Sequence, residues 1–139
     1  MMRQASRQLD ITSRGQGLMD VTRPIAEWVS RQEIGEGLLT ILCRHTSASL
    51  LIQENAAPAA RADLERYFAQ IAPESGDYAH DEEGADDMPA HLRAALTGVT
   101  LSIPVVGGRM ALGTWQGIHL FEHRRRPHVR SLAMHLIGR

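Results

Sequence analysis

The chain has 139 residues, 43% of them hydrophobic and 22% charged, with a formal net charge of -1 at pH 7. That length suits one domain with a real core, the composition excludes disorder and fibrous repeats, and the charge balance sets up no general field for nucleic acid or an anionic membrane. All 15 basic residues are arginine, which excludes Schiff-base lysine chemistry and a phosphate-loop lysine.

From the amino terminus, Met1 to Arg7 lacks the apolar stretch of a secretion signal. No apolar run reaches the roughly 20 residues needed to cross a bilayer, so the expected location is the cytoplasm, with no membrane partner. Residues 3–13 alternate loosely before Gly15 and Gly17 and predict a strand and a turn. Val21 to Ile34 predicts a helix, with Thr22 as N-cap, Pro24 in the first turn, and Ile25, Trp28 and Val29 on one apolar face; Gly35 and Gly37 stop it. Leu38 to Arg44 predicts a buried strand in which the single Cys43 packs as a small hydrophobe, and Ala48 to Gln53 predicts another. His45-Thr46-Ser47 lies at their junction. A helix follows over Pro58–Ile71, with Asn55 a better capper than Glu54, and Pro73 closes it.

Glu74 to Asp87 reads as an acidic, solvated loop that carries Tyr78 and His80. A short helix over Pro89–Leu96 is capped by Asp86 or Asp87 and ended by Gly98. Thr100 to Val106 alternates as a strand in which Pro104 marks an edge or irregularity, and Gly107-Gly108 turns it back into one long strand, Arg109 to His123. Pro127 separates that strand from a last one over His128–Ile137. Strands, two central helices and more strands make an α+β domain over residues 1–139.

Of the seven histidines, His119, His123, His128 and His135 lie on or beside the late strands and read as surface or structural groups. His45, His80 and His91 fall at element ends or in a polar loop, where a scaffold usually presents functional side chains. Three imidazoles can bind zinc or a similar ion and leave one coordination position open, with acids orienting the rings; capping and ordinary hydrogen bonding are the commoner uses of such positions. Asp87 stands four residues before His91, within reach of its ring. Glu54 is the less explained member of Glu54-Asn55, and Gln116, beside aliphatic neighbours, needs either a ligand or a backbone partner. Arg124-Arg125-Arg126 clusters charge that can meet a phosphate, although a solvated charge run is the commoner use of such a turn, and without interleaved aromatics the case for nucleic acid is weak.

Together, His45-Thr46-Ser47-Ala48, Glu54-Asn55, Asp63, Tyr78 with His80, Ala90-His91, and Leu112-Gly113-Thr114-Trp115-Gln116 with Glu122 resemble the YjbQ-like family (UPF0047), closely over residues 38–138. The resemblance implies a two-sheet β-sandwich with helices, assembled as a homotrimer. It also implies a weak thiamine-phosphate synthase activity, joining a pyrimidine pyrophosphate to a thiazole phosphate with loss of pyrophosphate. On that basis His45, His80 and His91 are the expected ligands of a divalent metal, zinc or magnesium. His45, Glu54 and His91 are the expected catalytic groups, and Asn55, Thr114, Gln116 and Glu122 are expected to hold the small phosphorylated ligand. His45, Glu54, His80, His91, Gln116 and Glu122 are expected to converge on one polar cleft. The alternative is a non-catalytic trimer binding a metal or small anion in the same cleft.

Overall fold

The computed structural model describes all 139 residues. In chain order the elements are β1 (Arg3–Thr12), β2 (Gly17–Asp20), α1 (Thr22–Arg31), β3 (Glu36–Cys43), β4 (Ala48–Glu54), α2 (Pro58–Ile71), α3 (Asp87–Thr97), β5 (Thr100–Val106), β6 (Arg109–Met110), β7 (Gln116–Glu122) and β8 (Val129–Gly138). They form two antiparallel sheets, one in the order β1-β8-β3-β5-β6 and one in the order β2-β7-β4.

Period-two alternation decides which way each strand faces. Leu39, Ile41 and Cys43 of β3, Leu132, Met134 and Leu136 of β8, and Ile103 and Val105 of β5 form one wall of the core. Ile118 and Leu120 of β7 with Ala48 and Leu50 of β4 form the other, and α1 adds Ile25, Trp28 and Val29 at helical spacing. Each such large side chain contributes about 1.5–3 kcal/mol by leaving water. Cys43 behaves as the small hydrophobe its sequence context predicts, and burial pushes its thiol up to about 11.

The outward rows of the larger sheet carry no covering element. There Leu38 stands opposite Ile137 and Thr40 opposite His135, and Leu38, Leu42 and Ile137 remain exposed. The smaller sheet, by contrast, is covered on both faces. Phe121 of β7 meets Phe68 of α2 edge-on, ring centroids 5.5 Å apart, so every residue from Gly117 to Glu122 is buried.

Several sequence expectations are corrected. Arg109 to His123 is two strands, because Gln116 Oε1 accepts the Gly113 amide at 2.8 Å and the Gln116 amide donates to the Gly113 carbonyl at 3.0 Å, closing a turn that carries the chain from one sheet to the other. The turn before it is as expected: Gly107 and Gly108 have φ of 60° and 76°, the left-handed pair a two-residue hairpin requires. Thr22 does not cap α1; its amide and hydroxyl donate to Asp20 Oδ1 at 2.9 and 2.6 Å. Neither Asn55 nor Glu54 caps α2, and neither Asp86 nor Asp87 caps α3 through its side chain. Pro104 sits where an edge residue should, since β6 pairs only with Val105 and Val106. His119 and His123 are buried, 1% and 0% exposed: β7 has no solvent face, and His123, directly after it, meets Ser49 Oγ at 2.8 Å.

One buried ion pair joins the sheets. Arg130 of β8 donates through Nε to Glu122 Oε1 of β7 at 2.8 Å and through Nη2 to Glu122 Oε2, while Ser13 Oγ donates to Oε1 at 2.6 Å and the Arg124 amide to Oε2 at 3.2 Å. Burial pushes the Glu122 carboxyl up, but the bonds from Arg130, Ser13 and the Arg124 amide outweigh it and hold the carboxyl below its ordinary 4.5. Its stabilisation is therefore complete above that value and lost as the pH falls through the depressed one. Glu122→Ala or Arg130→Ala alone is expected to cost about 3–5 kcal/mol in urea unfolding, and Glu122→Leu with Arg130→Met distinctly less, because only the single changes strand a buried charge. The acid limb of the stability curve should flatten in the double variant.

Candidate functional site

The last turn of the acidic loop and the first turns of α3 bring two imidazoles to one carboxylate. Asp87 and His91 share a helix face at i, i+4 spacing, and His80 folds back from the loop. His80 Nε2 lies 2.9 Å and His91 Nε2 3.1 Å from Asp87 Oδ2, with Glu83 Oε2 3.4 Å from His80 Nε2. The ligand atoms of all four side chains lie within 4.8 Å of one another. Asp87 is 2% exposed, and its other oxygen accepts from Arg124 Nη1 at 2.9 Å.

The tautomer of His91 is decided by a backbone group. Its Nδ1 lies 3.0 Å from the Thr46 carbonyl, which can only accept, so Nδ1 carries the proton. In the neutral ring Nε2 is then a bare lone pair facing a carboxylate oxygen 3.1 Å away. Two acceptors at that distance need a proton or a cation between them. Burial pushes the Asp87 carboxyl up, yet the hydrogen bond from His80 and the charges of His91 and Arg124 outweigh it and hold it below its ordinary value. The hydrogen bond that His80 donates to Asp87 raises the pKa of the imidazole.

Arg124 clamps the loop to the sandwich. Its Nε donates to Asp86 Oδ2 at 3.0 Å, its Nη1 to Asp87 and its Nη2 to the Glu83 carbonyl at 2.9 Å. Two of the three arginines read as solvated charge are thus structural: Arg124 holds Asp86 and Asp87, Arg125 pairs with Glu74, and Arg126 makes no ion pair. Sequence reasoning missed Arg124, Asp86 and Glu83 as members of the site; only the proximity of Asp87 to His91 pointed that way.

The other expected residues divide between two places. His45 stands apart from His80 and His91, because its Nε2 accepts the Ser131 amide at 2.7 Å; burial and then the charge of Arg130 lower its pKa. Glu122 belongs to the ion pair with Arg130. Glu54, Asn55, Thr114 and Gln116 lie at the opposite end of the smaller sheet, where Glu54 pairs with Gln116 while Ala48 pairs with Glu122. At about 3.3 Å per residue that separation is about 20 Å, so one chain does not bring the expected residues into a single cleft. There Asn55 Nδ2 donates to the Thr114 carbonyl at 3.2 Å, and Glu54 Oε2 accepts the Ala56 amide at 2.8 Å.

Known proteins share this arrangement of sheets and helices. The model of the UPF0047 protein YjbQ-like family matches residues 7–139. The chain belongs to the UPF0047 YjbQ-like family. It is 49% identical over 137 residues to a UPF0047 protein of Synechocystis sp., covering 98% of this chain and 93% of that one. It is 43% identical over 133 residues to the UPF0047 protein YjbQ of Salmonella typhimurium, covering 95% and 96%. A protein of unknown function from Sulfolobus solfataricus, described as YbjQ-like, superposes with a TM-score of 0.92 over the whole of both chains at 23% identity, which speaks to the fold alone. A hypothetical protein of Aeropyrum pernix superposes at 0.84 with 31% identity, covering 99% of each chain. The α+β sandwich implied by the YjbQ-like resemblance is therefore the fold, and no helix is long and apolar enough to cross a membrane.

If Arg124 is the clamp on this YjbQ-like site, Arg124→Gln should leave the core intact and free the loop. Hydrogen exchange of amides 80–87 is expected to accelerate about tenfold or more, the loss of charged hydrogen bonds worth roughly 1.5–3 kcal/mol each, with β3 and β8 unchanged.

Proposed function

We propose that His80, Asp87 and His91, with Glu83 at the open edge, hold a divalent cation, and that this YjbQ-like protein uses it on a small phosphorylated ligand in a weak thiamine-phosphate synthase reaction. The observation that carries the metal is His91: its Nδ1 is 3.0 Å from the Thr46 carbonyl and its Nε2 is 3.1 Å from Asp87 Oδ2, a pair of atoms that needs a proton or a cation between them. A carbonyl-oriented imidazole beside a carboxylate is the usual supporting arrangement for a bound metal. Two imidazoles with carboxylates favour zinc over magnesium, which prefers oxygen ligands.

The chemistry asked of the site is stabilisation of charge on the departing pyrophosphate while a new carbon–nitrogen bond forms; a bound divalent cation supplies that as a Lewis acid. The chain's own contribution is positive charge beside the cluster. A cleft of about 470 Å³ is bounded by Glu83 and Asp86 on one side and by Arg124, Arg125 and Arg126 on the other, and Arg126 is free to meet a phosphate. Glu54, Asn55, Thr114 and Gln116 would reach this ligand from a neighbouring copy in the homotrimer. The uncovered rows of Leu38, Leu42 and Ile137, and a Trp115 that is 65% exposed, support such an assembly.

A second reading, a trimer that binds the ion without turnover, is favoured by the exposure of the ligands: the side chains of His80 and Glu83 are 49% and 64% exposed, and nothing in one chain excludes water from them. Metal analysis of untagged protein should find about one zinc per chain, lost in His91→Ala and Asp87→Asn and bound about 10–100-fold more weakly in Arg124→Ala. Turnover of the pyrimidine pyrophosphate and thiazole phosphate that disappears with chelator supports the synthase; stoichiometric zinc without turnover supports the binding trimer; failure to take up any divalent ion on reconstitution overturns both. Light scattering should give three times the chain mass, and a monomer would remove the neighbouring-copy contribution.

A further inference from the structure

Arg93 is a buried cation without a counter-ion. It sits on α3, is 7% exposed, and forms no ion pair with any carboxylate. Its Nη2 donates to the Ala72 carbonyl at 2.8 Å, and its Nε has no partner. The carbonyl end of α2 gives it partial compensation through the helix dipole, but a guanidinium has five N–H donors and a buried charge ordinarily finds a full partner.

What Arg93 lines is a cleft of about 540 Å³ between the end of α2, the Gln16–Gly17 turn, β7 and α3, a size that suits a small molecule. Three carboxylates border it, and two are already committed: Glu74 to Arg125 and Glu122 to Arg130. The third, Glu65, accepts the Leu18 amide at 2.9 Å and meets no cation. Its position is built in, because Gly17 has φ of +130° and a Cβ there would lie 2.3 Å from Glu65 Oε2. The cleft thus carries one unpaired positive and one unpaired negative group that do not pair with each other, with Phe121, Ala69 and Pro73 as its apolar lining.

We propose that this cleft binds a small zwitterion, its carboxylate or phosphate on Arg93 and its protonated nitrogen toward Glu65. An anionic group supplies the charge-assisted hydrogen bonds that Arg93 lacks, and the nitrogen completes Glu65. The site does not depend on the metal reading, since none of its residues belongs to the His80–Asp87–His91 cluster.

The test is titration of the full-length protein with O-phosphoethanolamine and β-alanine, and with inorganic phosphate and ethanolamine as half-ligands, followed by amide chemical shifts. One or both zwitterions should move the signals of residues 16–18, 65 and 93, and the stronger of the two identifies the anionic group as phosphate or carboxylate. Glu65→Gln keeps the acceptor for the Leu18 amide and should weaken the zwitterion about tenfold while leaving inorganic phosphate unchanged; Arg93→Gln should weaken both by about tenfold or more. The shifts should persist in His91→Ala, which separates this cleft from a phosphate bound at the metal cluster. Because Arg93→Gln also removes the bond to Ala72 and can unfold the end of α2, the Glu65→Gln result decides on its own. Shifts confined to the His80–His91 region, no shifts at the cleft at millimolar ligand, or equal zwitterion affinity in Glu65→Gln would overturn the proposal.

Discussion

The contact on which the rest of the molecule depends is the pair formed by Glu122 and Arg130 between the two sheets. A carboxylate 2% exposed and a guanidinium 4% exposed are tolerable there only because Ser13, Ser47 and the Arg124 amide take up their remaining hydrogen-bonding capacity. The pair sits where the turns after β1, β3 and β7 meet. Arg124 leaves this knot to hold Asp86 and Asp87, the turn after β3 supplies the Thr46 carbonyl to His91, and Ser131 beside Arg130 engages His45. The candidate metal cluster therefore rests on the polar end of the sandwich, and the apolar core sets the distance between the sheets that carry it.

Much of this was legible in the residues themselves. Pro58 to Ile71 is a helix over the residues its apolar spacing and flanking prolines predict, Thr100–Val106 was readable from alternation, and Ala48–Gln53 from a short apolar run bounded by turn signals. The family motifs carried the fold. The four-residue β2 was hidden because it starts at Gly17, one of the two glycines that read as a turn, and the break between β6 and β7 was hidden because alternation continues through the crossing while the chain changes sheets.

The site was less legible, for two physical reasons. A strand covered on both faces shows no polarity contrast that reports exposure, so His119 and His123 resembled surface histidines; His123 is in fact neutral, with burial and nearby arginines driving it down to about 3, and its Nε2 meets Ser49 Oγ at 2.8 Å. Arg124 finds its carboxylates 37 and 38 residues away, a distance no local pattern reveals. His45 looked equivalent to His80 and His91 because all three sit at element ends or in a polar loop, and the bond from the Ser131 amide sets His45 apart. The LGTWQ segment and Glu54-Asn55 are neighbours, as their shared appearance in the family motif suggests, but at the far end of the sheet.

The bond from His91 to residue 46 ends on a main-chain oxygen, and this has an evolutionary consequence. Thr46 is exposed, and its side chain can drift among residue types without touching the ring, since every amino acid offers the same carbonyl. A change in loop length is another matter. Adding or removing one residue between Cys43 and Ala48 would displace that carbonyl by up to about 3.5 Å, the span of one residue of chain, and turn the imidazole away from Asp87. Homologues that keep the cluster should therefore be found to vary in the identity of residue 46 and to agree in the number of residues joining β3 to β4.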